Sequence, residues 1–272
     1  MISIIIATFN SELTLQRCLD SIFKQSYTSY EILVKDGGSK DNTIKVLENN
    51  AQKIDYICTG EDDGVYDAWN HCLKIISGEW FIFLGSDDYL EDVNFLNRML
   101  AYFIIANNQN SKIIYGKNKI ITVDGNFIAI VGDNWEISKK KINSVMTIRH
   151  PGCFHHKSLL ELVGFFDTKF KIVGDHHYIL RSLKFGEPIF YPFVGVVHSL
   201  GGISTNPSLI NKLIRETYKL RHDLMLKPFI LIDMHFLKRV IISIILFFFG
   251  EKNGSYLVRY FIFLKNKKNG YR

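Results

Sequence analysis

Several things this sequence lacks narrow its reading first. Its four cysteines, Cys18, Cys58, Cys72 and Cys153, lie far apart with no C-x-x-C pair, so no disulfide framework is expected. The opening MISIIIATFN has no basic n-region, and the expectation is therefore no secretory signal and a reduced, cytosolic protein. No internal repeat or low-complexity segment is visible. The charge-free apolar run from Val240 to Phe249 is about half the roughly 20 residues that a membrane-spanning helix needs, and Asp233, His235, Lys238 and Arg239 block its extension backward.

What is present is ordinary globular material. With 272 residues, 47% hydrophobic and 22% charged, the chain suffices for one large α/β domain or two small ones. The net charge of +6 is unevenly spread: residues 205–272 hold thirteen Lys/Arg against four Asp/Glu, while the first 204 hold 20 basic and 23 acidic residues. A basic end that also carries RVIISIILFFFG and YLVRYFIFLKNKK suits an anionic membrane surface better than nucleic acid. In the acidic remainder the aromatics fall on strand or helical core positions, so no nucleic-acid partner is expected.

The run ISIIIA, residues 2–7, suits a strand covered on both faces. Leu15, Cys18, Leu19, Ile22 and Phe23 then recur at helical spacing, with Ser11 as the expected N-cap and Glu12 in the first turn. EILVK (31–35) gives a second strand, DGGSKDNT a turn, and residues 42–50 a helix. IDYIC (54–58) gives a third strand and TGEDDG another turn. The next helix has an apolar face of Ala68, Trp69, Cys72, Leu73 and Ile76, with Gly78 as its expected stop. WFIFLG then runs straight into Asp87 and Asp88. Strands alternating with helices predict a parallel, right-handed sheet, with ligands beyond the carboxyl ends of its strands. From about residue 110, IIYG, KIITV, the turn Asp124-Gly125-Asn126 and FIAIV predict an antiparallel hairpin, followed by a helix near 175–185.

Adjacent carboxylates repel each other, so a strand that ends in Asp87 and Asp88 fits a divalent cation better than a merely soluble loop. The plainer alternative is a pair of solvated acids before the next helix. His176 and His177 are neighbours on a helix and cannot share a metal, and His155 and His156 lack a third ligand at sensible spacing.

Taken in order, SIIIATFN, EILVKDGGSKDNT, GEDDGVYDAWNHCLK, SGEWFIFLGSDD and FDTKFKIVGDHHYILRSLKFG, with HSLGGIS after them, resemble the family 2 glycosyltransferases of the GT-A fold that build bacterial capsule, exopolysaccharide or O-antigen. The resemblance implies an α/β, Rossmann-like, mostly parallel sheet with a smaller antiparallel part. It also divides residues 1–204 into a nucleotide-binding half (1–110) and an acceptor half (111–204), while the helical tail, 205–272, rests on composition alone.

By the same resemblance, Ala7, Thr8 and Asn10 lie near ribose and base, although ATFN also fits an ordinary strand exit. Asp36 accepts from a base or ribose donor, and Gly37 and Gly38 admit the backbone closely. Many members have a second aspartate where Gly37 stands, which leaves the base open. Asp62 and Gly64 face the nucleotide. Asp67 and Asn70 face the donor sugar or diphosphate, with Asp67 equally suited to its helix's positive end. SDD matches the DxD motif, making Asp88 the ligand of Mn²⁺ or Mg²⁺ and Asp87 its partner toward sugar or metal-bound water. Asp175 is the implied base of an inverting transfer, and N-capping is its alternative or additional role. His150, with Pro151-Gly152, lines the acceptor side. His198, with Gly201, Gly202 and Ser204, closes over the diphosphate, its imidazole on metal or phosphate, unless it is structural.

The implied activity moves a sugar from a nucleotide-sugar donor, a UDP-sugar, to a lipid-linked saccharide at the cytoplasmic face of the membrane. Two rivals stand beside it. A nucleotidyltransferase would carry a basic, Gly-rich loop after the first strand, and ATFNSE has no Arg or Lys. A noncatalytic membrane-bound scaffold would make Asp88 and Asp175 dispensable.

Overall fold

In the computed structural model, residues 1–199 and 207–226 are described. The chain forms two compact units, Met1–Leu200 and Gly201–Arg272. In the first, β1 (Ile2–Thr8), α1 (Leu15–Phe23), β2 (Tyr30–Asp36), α2 (Thr43–Asn49), β3 (Tyr56–Thr59), α3 (Val65–Leu73) and β4 (Trp80–Gly85) alternate. There follow β5 (Tyr89–Leu90), α4 (Phe95–Asn108), β6 (Ile113–Ile121), β7 (Phe127–Val131), α5 (Trp135–Ser138), β8 (Phe154–His156), α6 (Leu159–Leu162), α7 (Gly174–Ser182) and β9 (Ile189–Ser199).

The sheet order is β3-β2-β1-β4-β8-β6-β9-β5, with β7 paired to β6 off that path. β1 to β4 are mutually parallel, as is the β6/β9 pair, whereas β4/β8, β6/β8, β5/β9 and β6/β7 are antiparallel. The expected mixed sheet, mostly parallel with an antiparallel part, is therefore present, and the hairpin turns where Asp124-Gly125-Asn126 predicts.

β-Branched and aromatic runs without polar alternation form the central strands because both faces are covered. Ile2, Ile4, Ile6, Trp80, Ile82 and Leu84 pack into the core cluster with Leu15, Leu19 and Ile22 of α1 and Phe95 and Met99 of α4. The alternate residues turn the other way: Phe83 meets Trp69 of α3 with ring centroids 4.4 Å apart, and Phe81 stacks on His155 at 5.3 Å. The neighbouring His176 and His177 point to different partners. His176 Nε2 lies against the Ile142 carbonyl, and His177 packs on the ring of Phe170.

Two local expectations are corrected. Ser11 does not cap α1, which starts at Leu15 after Thr14. The Ser11 carbonyl instead accepts from Thr14 and Leu15, its hydroxyl meets Ser86 Oγ at 2.8 Å, and Glu12 accepts from Asn42 of the neighbouring loop. Gly78 does not stop α3 either, since that helix ends at Leu73. Gly78 is glycine because a Cβ there would stand 2.6 Å from Ser3 N, leaving the strand backbone no room.

In the second unit, a 3-10 turn at Pro207–Leu209 leads into α8 (Ile210–Asp223). Among the described residues no helix is long and apolar enough to cross a membrane. Gly201, Gly202, Ser204 and the Val240 to Phe249 run lie outside the described residues.

Replacing Gly78 by Ala is expected to destabilise the protein by about 1–3 kcal/mol, because an added methyl here overpacks against backbone. Asn, which suits a left-handed helix stop, should do no better, and thermal melts of both variants check this. Rescue by Asn would restore the helix-stop reading.

Candidate active site

Parallel pairing sets the site. In register, Thr8 of β1 lies beside Asp36 of β2, Asp36 beside Thr59 of β3, and Ala7 beside Gly85 of β4. Four loops from distant parts of the sequence therefore leave the sheet along one edge, where an open α/β sheet binds ligands.

The β1 loop is held in shape. Asn10 takes a left-handed conformation, φ 49°, which Asn tolerates better than most residues. Its N–H donates to Ser39 Oγ at 2.8 Å, and its side-chain oxygen accepts from Lys40 N at 2.9 Å. Gly37 N donates to the Thr8 carbonyl, so the loops after β1 and β2 form one floor. Ala7 keeps partial exposure beside it. Asp36, expected to meet the nucleotide, is instead fully buried. Its carboxylate accepts from Gly38 N, Ser39 N and the Ser39 hydroxyl and so builds the turn itself.

The group that stands over this floor is Asp62. A Cβ on Gly37 would lie 3.0 Å from Asp62 Oδ2, and the buried Lys35 ammonium lies 3.6 Å from the same oxygen. Asp62 Oδ1 also accepts from Gly64 N at 2.9 Å, and Gly64 has φ 103° as the turn requires. Lys35 further donates to the carbonyls of Asp36 and Gly60. Gly37 thus admits a carboxylate from the next loop. Asp67 accepts from Asp63 N at the start of α3. Asn70 grips the backbone of Phe166, donating to its carbonyl and accepting from its N–H, both at 2.9 Å.

At the end of β4, Asp88 is only 2% exposed and Asp87 is half-buried. Gly85 makes room for them: a Cβ there would stand 2.8 Å from Asp87 Oδ1 and 2.9 Å from Asp88 Oδ2. Asp88 Oδ1 accepts from Ser199 N at 3.1 Å and lies 2.9 Å from His198 Nδ1. Burial opposes a charge on His198, but its hydrogen bond to Asp88 and the charges of both aspartates outweigh that and raise its pKa. Burial, then the neighbouring Asp88 charge, raises the pKa of Asp87. Arg17 Nη2 donates to the Asp87 carbonyl at 2.8 Å and to Ser199 Oγ at 3.3 Å, and its guanidinium lies over Tyr89.

Two hard carboxylates under mutual repulsion fit a divalent cation of the Mg²⁺ or Mn²⁺ type. Among the described residues no three His, Cys, Asp or Glu side chains converge as a metal cage. Among the described residues this loop offers one or two ligands, as suits an ion completed by water and phosphate oxygens. The His198 Nδ1 contact is with Asp88 Oδ1, the arrangement of a group that orients a metal-binding carboxylate.

Asp175 lies in the first turn of α7. Its Oδ1 accepts from His176 N at 2.7 Å, with the Tyr66 hydroxyl at 3.3 Å, while among the described residues Oδ2 has no hydrogen-bond partner. Gly174 makes this contact sterically feasible, since a Cβ would lie 2.7 Å from the Tyr66 ring. Burial pushes the Asp175 pKa up to about 6 against the lowering effect of those donors. His150, expected on the acceptor side, is instead buried between Trp69, Phe83 and His155, and desolvation lowers its pKa to about 3.

Lys35, Tyr66, Arg17 and Ser199 were not singled out in the sequence. Tyr66 had a legible signal, an aromatic beside Gly64 in a helix's first turn. Arg17 had none, since its relation to Asp87 exists only after folding.

Comparison with known proteins places the chain by family and fold. The profile of the family described as Glycosyl transferase family 2 matches residues 3–165. Over 187 residues the chain is 30% identical to a PGL/p-HBAD biosynthesis glycosyltransferase of Mycobacterium tuberculosis, covering 68% of this chain and 70% of that one. It is 33% identical over 133 residues to the Escherichia coli UDP-Glc:alpha-D-GlcNAc-diphosphoundecaprenol beta-1,3-glucosyltransferase WfgD, covering 47% and 51%. Among solved structures, S. aureus TarS superimposes with a TM-score of 0.61 at 19% identity, over 80% of this chain and 39% of that chain. The mannosyltransferase PcManGT of Pyrobaculum calidifontis, in complex with GDP-Man and Mn²⁺, gives 0.61 at 16% identity, over 84% and 65%. The chain thus spans less than two thirds of these solved neighbours. Their likeness carries the fold, which is the GT-A fold.

An Asp at position 37 is expected to destabilise the protein by about 1–3 kcal/mol, because it meets the Asp62 carboxylate at contact distance. Adding Asp62→Asn to Gly37→Asp should recover part of that loss. A double-mutant cycle of thermal melts measures it, and simple additivity would refute the coupling.

Proposed function

The chain belongs to glycosyl transferase family 2 and is a glycosyltransferase, and from that we propose that it moves a sugar from a UDP-sugar to a lipid-linked saccharide with inversion at the anomeric carbon. The observation that carries this reading is the pairing of a fixed acidic loop at the end of β4 with a carboxylate, Asp175, whose free oxygen and raised pKa suit a general base.

In this reading Asp62, Asn10 and the backbone around Gly37 and Gly38 receive the nucleoside, with Ala7 and Thr8 below and Gly64 setting the turn. Asp36 acts by shaping that turn. Asp67 and Asn70 hold α3 and the Phe166 segment where Tyr66 can reach Asp175. Asp88, with Asp87 beside it, would hold a Mn²⁺ or Mg²⁺ ion. When bound, that ion neutralises charge on the departing diphosphate. His198, Ser199 and Arg17 keep those carboxylates in place. Asp175 Oδ2 takes the proton of the acceptor hydroxyl as that oxygen attacks opposite the leaving group.

WfgD, by its name, uses UDP-Glc and a diphosphoundecaprenol-linked GlcNAc, which supports both the donor and the lipid-linked acceptor. A TarS structure with UDP-GlcNAc and the PcManGT complex with GDP-Man and Mn²⁺ support a nucleotide-sugar donor and a divalent cation. A lipid-linked acceptor fits work at the cytoplasmic face of a membrane, with residues 205–272 as a contact with it.

Four outcomes are expected. Because the base must be ionised, kcat/KM should fall about tenfold per pH unit below pH 6 and level off above it. Asp175→Asn should lose at least about 100-fold in turnover with donor binding intact. The same variant should be about 1–2 kcal/mol more stable at pH 8, since the folded pKa lies above the unfolded value of about 4 and the ionised carboxylate opposes folding above pH 6 but not below 4. Near-normal turnover would remove Asp175 as base and favour the scaffold. Asp88→Asn should abolish the Mn²⁺-dependent part of UDP binding in calorimetry, and undiminished Mn²⁺ dependence would contradict the assignment.

A further inference from the structure

One stretch of the first unit has no part in the chemistry above. Val123, Phe127, Ile128, Ile130 and Ile137 expose 76, 61, 45, 55 and 51% of their surface within fifteen residues. β7 is an edge strand, and in the described residues it pairs only with β6. A bulge between the Ile120–Ala129 and Ile121–Phe127 pairs interrupts the alternation at Ile128, and Phe127 and Ile130, paired with Ile121 and Lys119, share one apolar, exposed face.

Charge points to the occupant. Lys139, Lys140 and Lys141 directly follow α5 and are exposed. Lys119 pairs with Glu91 and Lys139 with Glu136, whereas Lys140 and Lys141 have no ion pair among the described residues. Residues 117–141 hold five lysines against Asp124, Asp133 and Glu136, a local excess of positive charge within a net acidic first unit. Apolar side chains flanked by lysines favour the boundary of an anionic bilayer. Asp124 at the hairpin turn keeps the contact in the headgroup region and out of the hydrocarbon centre.

We propose that the β6–β7 hairpin with α5 is a contact surface for an anionic lipid bilayer, seated at the headgroup boundary. It belongs to the catalytic unit, and it rests neither on the acceptor assignment nor on any residue beyond 200.

The test uses the full chain with vesicles of phosphatidylcholine alone or mixed equally with phosphatidylglycerol, read by hydrogen–deuterium exchange so that residues 123–141 are followed separately from the C-terminal part. Phosphatidylglycerol vesicles should slow exchange in 123–131 at least tenfold, and phosphatidylcholine vesicles should have little effect. Phe127→Ser with Ile130→Ser should lower vesicle binding at least tenfold, and Lys140→Gln with Lys141→Gln should remove most of the preference for the anionic lipid. Melts of both double variants check that they fold, and the wild-type exchange pattern carries the test alone if either does not. Vesicle binding without protection in 123–141 overturns the proposal, as does no binding at all. Protection that appears without vesicles and grows with protein concentration overturns it too, in favour of self-association.

Discussion

The common direction of β1, β2, β3 and β4 is the constraint on which the site depends. Parallel strands in register end on one edge, so loops that start at Phe9, Gly37, Gly60 and Ser86 are neighbours by construction. No loop has to reach. The apolar runs that make the strands insoluble on their own therefore also fix the spacing of the polar groups that follow them.

Two further elements turn that edge into a site. β9 runs parallel to β6 and delivers His198 and Ser199 to Asp88 across 110 residues of sequence. α7 delivers Asp175 to Tyr66 of α3. The two acidic centres are electrically different as a result. Asp88 sits among hydrogen-bond donors from the end of β9, whereas Asp175 is placed where burial raises its pKa to about 6.

Much of this was legible in the sequence, and the legible part is local. The strands, the hairpin turn and the break from WFIFLG into two aspartates follow from patterns a few residues long. Most of the corrections concern partners distant in sequence. Ser11 looked like a cap because its partner, Ser86, is 75 residues away. Gly78 looked like a helix stop because the strand it touches begins the chain. His150 looked like a polar lining residue, and only the rings of Trp69 and Phe83 make it part of the core. Asp36 was found as an important acid, but its own turn takes up the carboxylate, which a motif cannot reveal.

The acidic loop after β4 is three residues long, Ser86 to Asp88, and β5 begins at once and pairs with β9. Sheet hydrogen bonds bracket it on both sides. The opposite wall, from Gly60 to Gly64, has two glycines in conformations that other residues rarely adopt. One wall is thus fixed by strand pairing and the other by glycine turns. Over evolutionary time the exposed Glu61 and Asp63 between those glycines can change without disturbing the carboxylates of the other wall, so the two walls can drift independently.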